Sequence, residues 1–352
     1  MSGTQGTYRL IGMGSSPYSM KVRAVLRYRR IPHLWLYRTP EVRAEIAHLR
    51  PPVIPVLQVP DGTYLVDSTP MIEALEGRHP GRAVWPSDPG QAFLCRLVED
   101  MADEWLTKAM FHLRWWAEPD RGFAAGWIVD DAMPQAPAAE RADAAAAIRD
   151  RQVSRMALVG CTPENDPVIR DSLSRWLAAM EGRVTRGAWL FGSRPSVADF
   201  AIFGQLAPLV TDPSPQVLIR QAAPRLDNWV RHMDDLSGEA EGAWDDPAAD
   251  LRPALRDLLS LAGDTYLPFL AANAAALQEG AAEVAVTLGG RRYVQAPFGY
   301  QAKCLSRLRE AWAALPPAAA DRLAALLAES GALSVLEGHG AGQPADGPVN
   351  ET

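Results

Sequence analysis

Val53-Ile54-Pro55-Val56-Leu57-Gln58-Val59-Pro60-Asp61-Gly62-Thr63-Tyr64-Leu65-Val66-Asp67-Ser68-Thr69-Pro70-Met71-Ile72-Glu73-Ala74-Leu75 is the stretch on which the fold turns. Two short β-prone runs, Val56 to Val59 and Tyr64 to Val66, flank Pro60-Asp61-Gly62-Thr63, a hairpin signal built from turn residues. Asp67, Ser68 and Thr69 are all capping types, and Pro70 sits where a first helical turn tolerates a missing N–H. The hairpin therefore runs straight into the positive end of a helix. Such an end offers unpaired backbone donors and a favourable dipole, which suits a carboxylate or phosphate. Pro55 stands just before the first run, where proline gives no ladder hydrogen bond, and a cis bond there turns the neighbouring backbone outward. An extended peptide would then pair with the backbone at Ile54.

Outward from this stretch, Tyr8 to Ile11 reads as a strand. A helix with Val22, Val25 and Leu26 on one face follows Gly12-Met13-Gly14-Ser15-Ser16-Pro17. His33 to Tyr37 is a second strand and Glu41 to Leu49 a short helix. The order is β-α-β-α-β-β-α. The Gly12-x-Gly14 segment fails as a dinucleotide fingerprint, because Pro17 occupies the third glycine position and the second strand ends in Tyr37-Arg38 without an acid.

The Val-Ile-Pro-Val-Leu run, the hairpin and the acid-Ser pair at a helix start resemble the thioredoxin-like domain of the glutathione transferases. The resemblance implies that Pro55 is cis, that Ile54 pairs with the cysteinyl part of glutathione, and that Asp67 and Ser68 hold its γ-glutamyl end. Asp67 departs mildly from the Glu or Gln more usual there. Ser16-Pro17-Tyr18-Ser19-Met20-Lys21-Val22 is similar to the family's Ser/Cys-Pro-aromatic-x-x-Lys/Arg-Val pattern. In the serine and cysteine classes the residue before the proline is catalytic, so the resemblance points to Ser16, with Ser15 and Tyr18 as the neighbours able to take its place. The chemistry is sound, since a hydroxyl donated to a sulfur at a helix N-terminus favours the thiolate. Ser before Pro is equally an ordinary helix cap. A serine forms no mixed disulfide, so conjugation, isomerisation or dehalogenation is favoured over reduction. The polar segment that helps relatives hold the glycyl carboxylate is replaced by His48-Leu49-Arg50-Pro51-Pro52, leaving Arg50 or His48 as substitutes.

After Trp85-Pro86-Ser87-Asp88-Pro89, strands give way to helices. Gln91 to Trp116 reads as one long helix carrying Glu99, Asp100, Asp103 and Glu104. Without a Glu-x-x-His motif this cluster reads as a solvated or salt-bridged face near Arg96 and Lys108, and no metal is expected. Ala117 to Pro137 mixes Pro, Gly, Trp and Asp and reads as an irregular insertion over a pocket. Helices follow at Ala138 to Leu158 and Pro167 to Arg183. Ser196 and Asp199 have capping-box spacing ahead of an apolar helix, another point of resemblance to the transferases.

The fold expected is an α/β thioredoxin-like domain over 1–84 and an all-helical glutathione transferase C-terminal domain over 90–243. A mostly helical extension with a hairpin then covers 244–337, and a disordered tail 338–352. Helices are read near Pro253 to Leu261, Leu267 to Gln278 and Tyr300 to Ala314, with one more after Pro316-Pro317. The hairpin is Glu283 to Leu288 turning at Gly289-Gly290 into Arg291 to Gln295. Apolar faces in this extension require burial, most simply against the helical domain, where they would narrow the electrophile pocket.

At 352 residues and 48% hydrophobic content the chain is an ordinary multidomain protein. A net charge of −7 disfavours nucleic acid as a partner. No apolar run approaches a membrane span and no signal-peptide core is present, so a cytoplasmic setting is expected. Cys95, Cys161 and Cys304 are too few and too scattered for a disulfide framework. Taken with the resemblance, the expected activity is transfer of an apolar electrophile to glutathione by a homodimer. The alternative is a non-catalytic binding or assembly module on the same fold.

Overall fold

The computed structural model describes residues 6–51, 53–184 and 189–338. β1 (Tyr8–Gly12) leads into helix α1 (Pro17–Tyr28), β2 (His33–Tyr37) and a single-turn-plus helix α2 (Pro40–Glu45). β3 (Val56–Gln58) and β4 (Tyr64–Val66) form the expected hairpin, followed directly by α3 (Ser68–Arg78). The sheet order is β2-β1-β3-β4, with β1 parallel to β2 and antiparallel to β3, and β3 antiparallel to β4. That is the thioredoxin-like arrangement. One face of the sheet is filled by Leu10, Leu57, Val22, Leu26, Met71 and Leu75, which α1 and α3 bring down onto it. The other holds Ile11, Val56 and Ile46. The Ile54–Pro55 and Arg50–Pro51 bonds are both cis.

The long helix after the linker is continuous but not uniform. It comprises α4 (Pro89–Met101), a π-helical turn over Ala102–Leu106, and α5 (Thr107–Trp116). The next segment differs from the irregular insertion expected: it is helix α6 (Glu118–Ala132). Pro119 falls in its first turn, where no N–H is missed, and Ala124, Ala125 and Val129 bury on one side. α7 (Ala138–Ser154), α8 (Asp166–Val184), α9 (Val197–Leu209), α10 (Pro213–Ala222) and α11 (Pro224–Met233) complete the helical domain. α9 starts with the capping box read from the sequence, Ser196 accepting from Asp199 N while Asp199 accepts from Ser196 N. It is buried throughout its length and packs on α1. The two backbones meet at Gly204, where a Cβ would lie 2.6 Å from the Pro17 carbonyl oxygen.

The extension is α12 (Pro253–Leu261), a second π-helical turn at Ala262–Tyr266, and α13 (Leu267–Glu279). The hairpin β5 (Val284–Leu288) and β6 (Arg291–Gln295) follows, then α14 (Gly299–Ala313), α15 (Pro317–Glu329) and α16 (Ala332–Leu336). It shares one continuous apolar core with the helical domain. The Trp105 ring lies 5.2 Å from Phe269 and 5.3 Å from Tyr293, and Phe93 lies 5.4 Å from Trp312, centroid to centroid. At Gly263 a Cβ would fall 1.7 Å from the Ser330 carbonyl oxygen, so the turn before α16 seats directly on that backbone. The tail assigned to 338–352 lies, beyond Gly338, outside the described residues. No helix among the described residues is long and apolar enough to cross a membrane.

Candidate active site

Where the β3 edge, the start of α3, the middle of α4 and the extension converge, they enclose a cavity of about 430 Å³. Ile54, Pro55, Asp67, Ser68 and Thr69 form its thioredoxin-like wall, and Glu99, Asp100, Asp103 and Glu104 its floor. Phe298, Tyr300, Arg307 and Leu308 close it from the extension. The first turn of α3 opens onto this space, so its unpaired N–H groups and positive end face any ligand there.

Asp67 is unusual in its backbone, with φ 73° and ψ 125°, a region that side-chain-bearing residues rarely occupy. Its carboxylate does not cap α3. It accepts instead from the Tyr300 hydroxyl at 3.2 Å. Ser68 is buried at the same corner.

Of the solvated or salt-bridged face expected, the acidic floor is the salt-bridged one, and it is buried. Lys21, fully buried on α1, reaches it with Nζ 2.5 Å from Glu99 Oε1 and 2.6 Å from Asp103 Oδ2. Burial alone would lower the Lys21 ammonium, but the two carboxylates outweigh it and hold it above its usual value. Thr69 donates to Glu99, and Tyr266 donates to Asp100 at 2.5 Å. Burial pushes the Asp100 carboxyl up to about 7. Burial, with Asp100 and Asp103 alongside, also holds Glu104 well above the carboxylate range. The cation paired with Glu99 and Asp103 is Lys21, while Lys108 attracts Glu104 from farther off. Arg96 pairs with Glu73 at 2.6 Å, and Lys108 donates to Val159 O and Gln295 Oε1. Among the described residues no group of His, Cys, Asp and Glu is arranged to hold a metal ion.

Ser16 is half-buried and caps α1, its Oγ accepting from Ser19 N at 3.4 Å. Accepting leaves the hydroxyl hydrogen available for another partner. Ser16 is not among the residues lining the cavity, whereas Tyr18 is. The Tyr18 phenol donates to the Asp103 carbonyl at 2.9 Å. Ser15 is buried beneath α6, its N–H reaching Asp131 Oδ2 at 3.3 Å and its carbonyl accepting from Arg114 at 2.7 Å. Arg114 thus fixes the turn ahead of Ser16. His48 and Arg50 bond to neighbouring backbone carbonyls and do not line the cavity.

The structure therefore brings Ile54, Pro55, Asp67 and Ser68 together and leaves Ser16 outside the lining. Sequence reasoning missed Lys21 as the charge partner of the floor and α14 as a wall. The Lys/Arg position of the Ser16 motif and the polar knot Gly299-Tyr300-Gln301-x-Lys303-Cys304 were the available signals.

Residues 10–83 match the family described as glutathione S-transferase, N-terminal domain, and residues 136–232 the one described as glutathione S-transferase, C-terminal domain. No curated protein matches the chain. Among solved structures, a glutathione S-transferase from Methylobacillus flagellatus KT with GSH bound is 24% identical, covering 67% of this chain and 99% of that one at a TM-score of 0.40. The β-etherase LigF from Sphingobium sp. strain SYK-6 is 18% identical over 72% of this chain and 98% of that one, with a TM-score of 0.47. FzlA from C. crescentus is 18% identical over 72% and 92%, with a TM-score of 0.41. Two segments of the chain, residues 10–83 and 136–232, thus each resemble one of the two domains of the glutathione S-transferases.

Proposed function

We propose that this protein binds glutathione in the cavity between the α3 N-terminus and the extension and directs its thiolate onto an apolar electrophile. One observation carries the reading: Ile54 with its cis peptide to Pro55, Asp67 and Ser68 all line one cavity at the open end of a helix. In the proposed mechanism the peptide pairs with the backbone at Ile54, and Ser68 with the first N–H groups of α3 binds its γ-glutamyl end. The Ser16 hydroxyl donates to the sulfur. The thiol proton leaves to solvent, the thiolate forms a carbon–sulfur bond, and the leaving group departs with the bonding pair. Tyr18 is the poorer donor, since its phenol is already committed to Asp103.

Retention on immobilised glutathione, with elution by the free tripeptide, tests the reading directly; a protein that flows through removes it. Ser68→Ala should weaken binding by about 1.5–3 kcal/mol, roughly 10- to 150-fold in Kd, the worth of a hydrogen bond to a charged group. Unchanged affinity by calorimetry takes Ser68 out of the site.

The position of Ser16 outside the cavity lining favours a second reading, a glutathione-binding module without catalysis. Retention without consumption of an aryl halide electrophile identifies it. A cytoplasmic homodimer belongs to the main proposal. Because α14 and α15 pack on α4, a second copy would meet a different surface, and a monomer mass by light scattering at micromolar concentration removes the dimer.

A further inference from the structure

We infer that the extension completes the ligand site within the same chain: Arg307 binds the α-carboxylate of the amino-acid end of glutathione, and Tyr300 positions Asp67 for its α-ammonium. This rests on the glutathione reading above. It adds residues from a part of the chain that neither domain match covers.

α14 presents Tyr300, Cys304, Arg307 and Leu308 at positions i, i+4, i+7 and i+8, one face of a helix, and three of the four line the cavity. The charges there are unequal in availability. Glu99 and Asp103 are engaged by Lys21, and Arg96 by Glu73. Arg307 is a lining cation that bonds the Tyr300 phenol and feels the Asp67 charge, with no carboxylate at ion-pair distance among the described residues. Its guanidinium lies over the Tyr300 ring, 5.9 Å from the centroid, and its side chain is exposed at the rim. On the other side of that phenol, Asp67 Oδ2 accepts the Tyr300 hydroxyl.

The cavity thus sets a guanidinium, which bonds the Tyr300 phenol, and a carboxylate, which accepts from it, on either side of one aromatic side chain. A free α-amino acid end carries the complementary pair, a carboxylate and an ammonium on one carbon. Glutathione has such an end in its γ-glutamyl residue, while its glycyl end is a carboxylate alone. A guanidinium suits the carboxylate through charge-assisted, paired hydrogen bonds. Asp67, held by Tyr300 rather than spent on capping α3, suits the ammonium. The raised carboxyls of Asp100 and Glu104 on the floor would shift toward ionisation beside an ammonium, adding to its attraction.

Calorimetry on the full chain with three ligands tests this. The ligands are glutathione, 4-aminobutyryl-Cys-Gly, which lacks only the α-carboxylate, and glutaryl-Cys-Gly, which lacks only the α-ammonium. Arg307→Gln should weaken glutathione about tenfold or more and leave 4-aminobutyryl-Cys-Gly unchanged, with Arg307→Lys recovering much of the loss. Tyr300→Phe should weaken glutathione several-fold and leave glutaryl-Cys-Gly unchanged. Glutathione binding by Arg307→Gln within twofold of wild type overturns the inference alone, as does equal loss for all three ligands. Tighter glutathione binding by Tyr300→Phe overturns the positioning role. Wild-type protein that binds no glutathione overturns the functional reading and this inference together.

Discussion

Lys21→Met is the perturbation with the largest consequence that can be worked from the structure. The Lys21 ammonium is fully buried and stands 2.5 Å from Glu99 and 2.6 Å from Asp103, both themselves buried. Methionine keeps much of the volume, so little of the effect comes from a cavity. What is lost is, among the described residues, the cation paired with two carboxylates that α4 and its π-helical turn hold out of water. Breaking a buried pair by removing one partner costs about 3–5 kcal/mol, because the remaining charge is uncompensated. Urea unfolding at pH 8 should show a loss of that size. Burial already holds the Asp103 carboxyl up to about 6, and without Lys21 to oppose it Asp103 takes up a proton more readily, so the penalty should shrink at pH 5. Adding Glu99→Gln and Asp103→Asn to Lys21→Met should restore most of the stability, since neutral side chains are tolerated where unpaired charges are not. A penalty below about 1 kcal/mol, or one that the neutral triple variant does not relieve, would refute the view that Lys21 exists to neutralise this floor.

Ser16→Ala should lower the rate of thiolate attack far more than glutathione affinity, because the hydroxyl acts on the ionised sulfur; a bound-thiol pKa equal to wild type by thiolate absorbance leaves Ser16 as a helix cap only. Asp100→Asn should change the pH dependence of stability. The Asp100 carboxyl titrates near 7 in the folded protein and at about 3.9 unfolded, so the folded state holds more protons and wild type loses stability as pH rises between those values. The Asn variant should therefore gain on wild type by on the order of a few kcal/mol between pH 5 and pH 8, and a pH-independent difference in melting temperature contradicts this. Gly263→Ala should cost at least about 1–3 kcal/mol because the new methyl overlaps the Ser330 carbonyl, and an unchanged melting temperature shows that the turn yields instead.

What was legible in the sequence was local. The hairpin at Pro60-Asp61-Gly62-Thr63 and the Ser196–Asp199 capping box are encoded within a few residues, and both appear as read. α6 escaped because Pro119, Gly122 and Gly126 interrupt its periodicity, yet a first-turn proline and a face of Ala124, Ala125 and Val129 suffice for a helix packed on neighbours. The charge partner of the α4 acids escaped for a different reason. Lys21 lies 78 positions before Glu99, and no spacing rule reports a contact made across two domains. The wall from α14 is of the same kind, with Tyr300 and Asp67 separated by 233 positions.

The shared core has a consequence for how the protein is made. Trp105 leaves the ribosome long before Phe269 and Tyr293, the rings that cover it. At roughly 5–20 residues per second, on the order of ten seconds or more separate Trp105 from Tyr293. Throughout that interval the nascent helical domain shows an oily flank with no native cover, the condition under which emerging chains aggregate or are taken by chaperones. Yield in a cell therefore depends on what shelters α4 and α5 during translation, and slowing synthesis between the two segments should lower it rather than help.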